Sequence, residues 1–226
     1  MIYERHLLLY YITDRLSLGN DEAQCRHRLL QKIAEAARAG VDYIQLREKD
    51  LTSRDLESLT RAAVDLLAQQ NVQKNRRQRT HILVNSRIDI ALACSADGVH
   101  LRSDDVAPCI AREIHERAAC GMRPTISVSC HSVDEVARAA EESADFALFA
   151  PVFGKPAQKN APATPAAGLD TLRKSCEQKI PVIALGGVTV ENAKDCLNAG
   201  ASGIAAIRLF QENNIAEVVQ KLRSSQ

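Results

Sequence analysis

One unit recurs along the whole chain: a short apolar, β-branched run, a polar turn, an amphipathic segment, then Gly or Asp before the next such run. Leu7–Ile12, Tyr43–Arg47, His81–Asn85, Gly98–Leu101, Thr125–Ser129, Phe146–Ala150, Val182–Ala184 and Gly203–Ile207 read as strands. Their apolar residues run on without strict alternation, as expected where both faces of a strand are covered. Between them the period turns helical. Leu29, Leu30, Ile33, Ala34 and Ala37 share one face, as do Leu56, Leu59, Ala63, Leu66 and Leu67, and later Val190, Ala193 and Leu197. Thr52 with Asp55, Ser132 with Glu135, and Thr189 have the form of N-caps, and Pro108 suits a first turn. Ala39-Gly40-Val41-Asp42, Ala96-Asp97-Gly98, Ala144-Asp145 and Ala199-Gly200-Ala201 read as helix exits, where a Gly takes the left-handed conformation.

Eight such units in 226 residues predict a single-domain α/β fold, the (β/α)8 TIM barrel, slightly below its usual length. An open doubly wound sheet is the rival, but no G-x-G-x-x-G follows the first strand. No linker splits the chain. Its longest irregular stretch, Pro151 to Gly168, is rich in Pro, Ala and Gly and has the length of a functional or mobile loop.

Composition narrows the function classes. A net charge of +1 weighs against a nucleic-acid partner, which wants a basic face. No apolar run nears the roughly 18 residues of a membrane span. Met1 to Arg15 carries Glu4, Arg5, His6 and Asp14 around a short apolar stretch, which makes it a first strand rather than a signal peptide. Seven scattered cysteines without a C-x-x-C pair predict reduced thiols, a cytoplasmic protein and no zinc site. The basic stretch Gln73 to Thr80 falls at the bottom rim of a barrel and reads as solvated surface.

In a barrel the chemistry sits at the C-terminal ends of the strands. The second strand ends Gln45-Leu46-Arg47-Glu48-Lys49, and alternation sends Gln45, Arg47 and Lys49 to one side. Inward cations without a partner are costly, so an anion such as a phosphate or diphosphate is expected there; the alternative is an ion pair with Glu48 or Asp50. After the third strand, Asn85 is placed to read the edge of a heterocycle, and Ser86 either shares the site or caps the next helix. Asp104 and Asp105 follow the fourth strand, where one carboxylate can hold Mg²⁺ beside substrate phosphates; helix capping ahead of Pro108 is the alternative. Cys130 beside His131 invites a nucleophile, but sequence neighbours on an extended chain point opposite ways; Ser129 is the better contact to a reacting group. Gly186-Gly187-Val188-Thr189 and Ala205-Ala206-Ile207-Arg208 end the last two strands, where barrels often hold a phosphate on bare amides.

Taken as a set, Tyr11-Ile12-Thr13-Asp14, Gln45 to Lys49, Val84-Asn85, Asp97 to Leu101, Ser129 to Ser132, Pro151-Val152-Phe153 and Ala184 to Thr189 resemble the thiamine-phosphate synthase superfamily, which includes the thiazole tautomerases. The resemblance runs from about Leu8 to Phe210 and implies a barrel coupling hydroxymethylpyrimidine diphosphate to thiazole phosphate. It implies that Gln45, Arg47 and Lys49 hold the pyrimidine diphosphate, Asn85 the pyrimidine, Asp105 a Mg²⁺ ion, and that Ser129 lies near the reacting carbon. Gly187, Ile207 and Arg208 match the thiazole-phosphate cradle. The partners implied are small phosphorylated heterocycles, with a homo-oligomer left open.

Three positions depart from the synthase pattern. Ser86 stands where a second Mg²⁺-binding Asp is usual, and Arg208 where a serine usually closes the cradle. Lys155-Pro156-Ala157-Gln158 replaces a phosphate-holding Thr-x-Thr-Lys run, and Lys159, one residue beyond, is the candidate to bind substrate phosphate in its place. Asn85 to Leu92 and the end of the fifth strand look more like the tautomerases, yet Pro151 stands where some of those carry a histidine. Two alternatives therefore remain: a thiazole tautomerase, and a catalytically silent phosphate-binding relative. A sugar-phosphate isomerase would need a central carboxylate or histidine pair, which no strand end supplies.

Overall fold

The structure is a computed structural model that describes residues 6–72, 78–118, 123–154 and 165–224. The chain alternates strands and helices: β1 (Leu8–Ile12), α1 (Glu22–Ala39), β2 (Tyr43–Leu46), α2 (Ser53–Asn71), β3 (His81–Asn85), α3 (Ile88–Ala93), β4 (Gly98–Leu101) and α4 (Pro108–Arg117) come first. Then come β5 (Thr125–Cys130), α5 (Val133–Glu141), β6 (Phe146–Phe149), α6 (Gly168–Cys176), β7 (Val182–Leu185), α7 (Ala193–Asn198), β8 (Gly203–Ala206), α8 (Arg208–Gln211) and α9 (Ile215–Ser224). All strands are parallel and pair in sequence order, and β8 closes on β1. The expected barrel is the fold, with strand ends within one residue of those read from the sequence.

Strand alternation divides the apolar residues into two compartments. Tyr10, Ile12, Leu83, Phe146, Leu148, Ile183 and Ala205 fill the inside of the ring. Residues of the opposite parity, such as Leu9, Tyr11, Ile44, Val84, Val99 and Ile204, face the helices. There they meet the predicted helical faces, among them Leu29, Ile33 and Ala37 of α1 and Leu56, Leu59 and Ala63 of α2.

The predicted caps Thr52 and Ser132 accept the amides of Asp55 and Glu135, and Pro108 opens α4. Thr189 also acts as a cap: its hydroxyl accepts the Asn192 amide and the Asn192 side chain accepts the Thr189 amide, the reciprocal pair of a capping box, although α7 itself starts only at Ala193. The helix exits need correcting in part. Gly40 and Gly200 are left-handed as expected, but Gly98 is a strand residue, and Ser95 and Ser143 take that conformation after α3 and α5.

At the bottom of the barrel a two-strand repeat emerges. Asp42, Asp97 and Asp145 each directly precede an even-numbered strand, and each carboxylate accepts the amide of its partner on the preceding odd strand: Leu9, Ile82 and Ile126. The main chain reciprocates, since the amide of each Asp donates to the carbonyl of the same partner. Before β8 the equivalent position is Ser202, whose amide donates to Val182 but whose side chain makes no such bond.

Candidate active site

A run of polar residues enters the ring from β2 to β5. Gln45, Asn85, His100, Ser127 and Ser129 have the inward parity of their strands. The Gln45 side-chain amide donates to Asn85 Oδ1 at 2.7 Å, and the Asn85 amide donates to Ser86 Oγ at 3.1 Å. Ser86 in turn donates to Asp105 Oδ2 at 2.6 Å, which also accepts the Arg102 amide at 2.7 Å. One chain of hydrogen bonds thus links the ends of β2, β3 and β4. Ser86 holds this position with φ at +59°, a left-handed backbone that a non-glycine residue adopts at a cost. It caps nothing: α3 starts without a side-chain cap bond, and so does α4, which disposes of the capping alternative for Asp105.

Gln45 is 2% exposed, and its Oε1 is buried with no hydrogen-bond partner among the described residues. Such an acceptor costs about 1–3 kcal/mol unless something donates to it. An N–H donor of a ligand, such as an exocyclic amino group, would satisfy it.

Arg47 and Lys49 follow at the rim. Neither has an ion pair among the described residues, because the acids beside them are taken. Glu48 and Asp50 pair instead with Arg15, at 3.2 and 2.6 Å. The Lys49 ammonium is held below its usual range first by the Arg47 charge, then by partial burial and the Arg102 charge. Three cations therefore repel one another at one edge of the mouth, and an anion would relieve that repulsion.

Ser129 lies deeper. His100 bridges it to Ser127, with Nε2 at 2.9 Å from Ser129 Oγ and Nδ1 at 2.9 Å from Ser127 Oγ. Burial, helped by Arg47, pushes the His100 imidazolium down to about 3, so the ring is neutral. The sequence carries His100 in plain view within Gly98 to Leu101, but only the barrel interior reveals what it contacts. Cys130 points the other way, into the layer between strands and helices, and burial pushes its thiol up to about 12. It is no nucleophile. The cysteines of the described residues are free thiols.

Across the ring, Gly187 and Arg208 line a groove of about 540 Å³ together with Gly154, Thr189 and Lys221. Gly187 has φ at +67°, and a Cβ there would lie 2.8 Å from Phe153 Cβ. Glycine is therefore needed for backbone shape and for close approach to the loop after β6, quite apart from any phosphate. The Gly187 and Val188 amides donate no hydrogen bond among the described residues. Ile207 packs against the interior cluster, and Arg208 is exposed with no ion pair among the described residues. Lys159, with Lys155 to Gln158, lies outside the described residues, as do residues 73–77 of the basic stretch.

With this geometry in place, likeness to other proteins decides the family. The model of the thiamine monophosphate synthase family matches residues 9–210. The chain belongs to that family. A thiamine-phosphate synthase of Syntrophomonas wolfei is 34% identical over 217 residues, covering 95% of this chain and 94% of its own. One from Albidiferax ferrireducens is 34% identical over 204 residues, 89% and 83% of the two chains. The solved thiamine phosphate pyrophosphorylase of Pyrococcus furiosus superposes with a TM-score of 0.76 at 29% identity, covering 98% and 96%. The protein is thus a transferase of the thiamine-phosphate synthase type, from a family that binds phosphorylated heterocycles. Among the described residues no helix is long and apolar enough to cross a membrane.

Proposed function

We propose that the protein couples hydroxymethylpyrimidine diphosphate to thiazole phosphate, giving thiamine phosphate and diphosphate. The observation that carries the reading is the combination at the end of β2: a buried acceptor without a donor on Gln45, and two cations without carboxylates on Arg47 and Lys49. A pyrimidine bearing an amino group and a diphosphate supplies what both lack. Asn85, fixed by Gln45 and Ser86, reads the ring edge. The carbon–oxygen bond to the diphosphate breaks, leaving a pyrimidine-stabilised carbocation, and the thiazole nitrogen closes the new carbon–nitrogen bond. Arg47 and Lys49 stabilise the charge gathering on the leaving diphosphate, which a dissociative step needs more than it needs a base. Ser129, held by neutral His100, offers its hydroxyl near the reacting carbon. The Gly187 amide and Arg208 receive the thiazole phosphate, with Ile207 beneath.

The donor set also suits one Mg²⁺. Asp105 keeps one carboxylate oxygen clear of hydrogen bonds among the described residues, and the Ser86 hydroxyl lies beside the other. Mg²⁺ commonly takes one or two carboxylates and leaves its other positions to water and phosphate oxygens, so Asp105 with a diphosphate is a sufficient set. Bound there, Mg²⁺ would neutralise charge on the departing group.

The test is a coupling assay with both substrates and Mg²⁺, on wild type and Arg47→Ala. Wild type is expected to form thiamine phosphate, and the variant to lose about 10- to 150-fold in kcat/KM, the scale of one charge-assisted hydrogen bond. Interconversion of thiazole carboxylate isomers without coupling would transfer the assignment to the tautomerases. Binding without turnover would make this a silent relative.

A further inference from the structure

We infer that Arg15 is a positioning residue for the diphosphate grip: it draws Glu48 and Asp50 away from Arg47 and Lys49 and keeps those two cations open to an anion. The inference rests on the assignment of Arg47 and Lys49 as that grip. Arg47-Glu48-Lys49-Asp50 alternates in charge, so each cation has a carboxylate beside it in sequence, yet neither cation forms an ion pair among the described residues.

Arg15, on the loop after β1, commits its whole guanidinium to acids. Nε and Nη2 donate to Glu22 at 3.0 and 2.9 Å, Nη1 to Glu48 at 3.2 Å, and Nη1 and Nη2 to Asp50 at 2.7 and 2.6 Å. Those contacts engage all five of its donors. The Arg15 amide donates to the Glu48 carboxylate as well. Thr13 completes the link: its hydroxyl donates to Glu48 while accepting the Arg47 amide. The loop after β1 therefore fixes the main chain of Arg47 and removes the neighbouring carboxylates in one arrangement.

Stability gives this cluster little reason to exist. The Arg15 and Glu48 side chains are each 2% exposed, and a buried ion pair is often no better than apolar residues of the same volume. Position explains it instead. Glu48 has the opposite parity to Arg47, so anchoring it behind the strand turns Arg47 toward the mouth, where its charge is felt by His100 and by Lys49. It does so just beyond Leu46, where the β ladder has ended.

The test is calorimetric titration with inorganic pyrophosphate, a readout independent of turnover, on wild type, Arg15→Met and the triple variant R15M/E48Q/D50N. Arg15→Met frees two carboxylates to compete and is expected to weaken binding at least tenfold. The triple variant, which has no acids left to sequester, is expected to return to within threefold of wild type. Should Arg15→Met fail to fold by circular dichroism, Arg15→Lys and R15K/E48Q/D50N replace it, with a smaller loss and the same recovery. Unchanged binding in the single variant overturns the inference. So does a triple variant as weak as the single one, which would make Arg15 merely structural. A wild-type protein that does not bind pyrophosphate overturns the assignment of Arg47 and Lys49 itself.

Discussion

Replacing His100 with Gln should remove a penalty that the wild-type fold incurs in acid. In the fold the imidazole is neutral down to about 3, whereas the unfolded chain protonates near 6.5. The folded-state value is depressed, so below 6.5 the unfolded state takes up a proton that the native state refuses, and stability falls with pH until about 3. At pH 4.5, two pH units below the unfolded value, that one proton costs the fold about 2–3 kcal/mol. For a chain of this size that corresponds to about 4–12 °C in Tm. Burial is complete and the group makes two side-chain contacts, so solvent screening does not erode the figure as it would at a surface. The assay is thermal or urea unfolding of wild type and His100→Gln at pH 7 and pH 4.5. His115, also held low by burial, and all carboxylates titrate in both proteins and cancel in the comparison. Wild type should lose about 2–3 kcal/mol more than the variant over that interval. Equal losses would refute a neutral His100 sealed between Ser127 and Ser129, whatever the variant costs at pH 7.

Two other perturbations probe the mouth and the thiols. Ser86→Asp places a second carboxylate beside Asp105 and should lower the Mg²⁺ concentration needed for half-maximal coupling, whereas Asp105→Ala should raise it; an unchanged metal titration in both removes these residues from the metal site. A thiol reagent should modify exposed Cys109 well before Cys130, whose thiol is buried and held at about 12, and Cys130→Ala should retain coupling within a few-fold; rapid labelling of Cys130, or complete loss of activity, would contradict its placement behind the strand.

The barrel was legible because each strand and helix announced itself locally. β-branched runs, caps at Thr52 and Ser132, and glycines at 40 and 200 all act within a few residues. Site residues on strands were legible for the same reason: period-two alternation alone turns Gln45 and Arg47 inward. What escaped the sequence are contacts between distant segments. Nothing in the spacing shows that Arg15 would claim Glu48 and Asp50, or that Ser86 would reach Asp105 instead of capping a helix. Alternation also turns His100 inward, but its partners Ser127 and Ser129 come from the next strand, so its role had no local signal.

The aspartates beneath the ring carry a consequence for how it comes apart. Odd and even strands are stapled in couples, β1 to β2, β3 to β4 and β5 to β6, each by one carboxylate and one reciprocal amide. The final couple, β7 with β8, has a serine in that place and goes without the staple. Of the four couples it is therefore the one joined at its base, among the described residues, by main chain alone, and it lies below the end of the barrel that carries Gly187 and Arg208. The lip assigned to the thiazole phosphate thus rests on a couple that can slide without breaking a carboxylate bond, whereas sliding within the couples that carry Gln45, Asn85 and Ser129 breaks one.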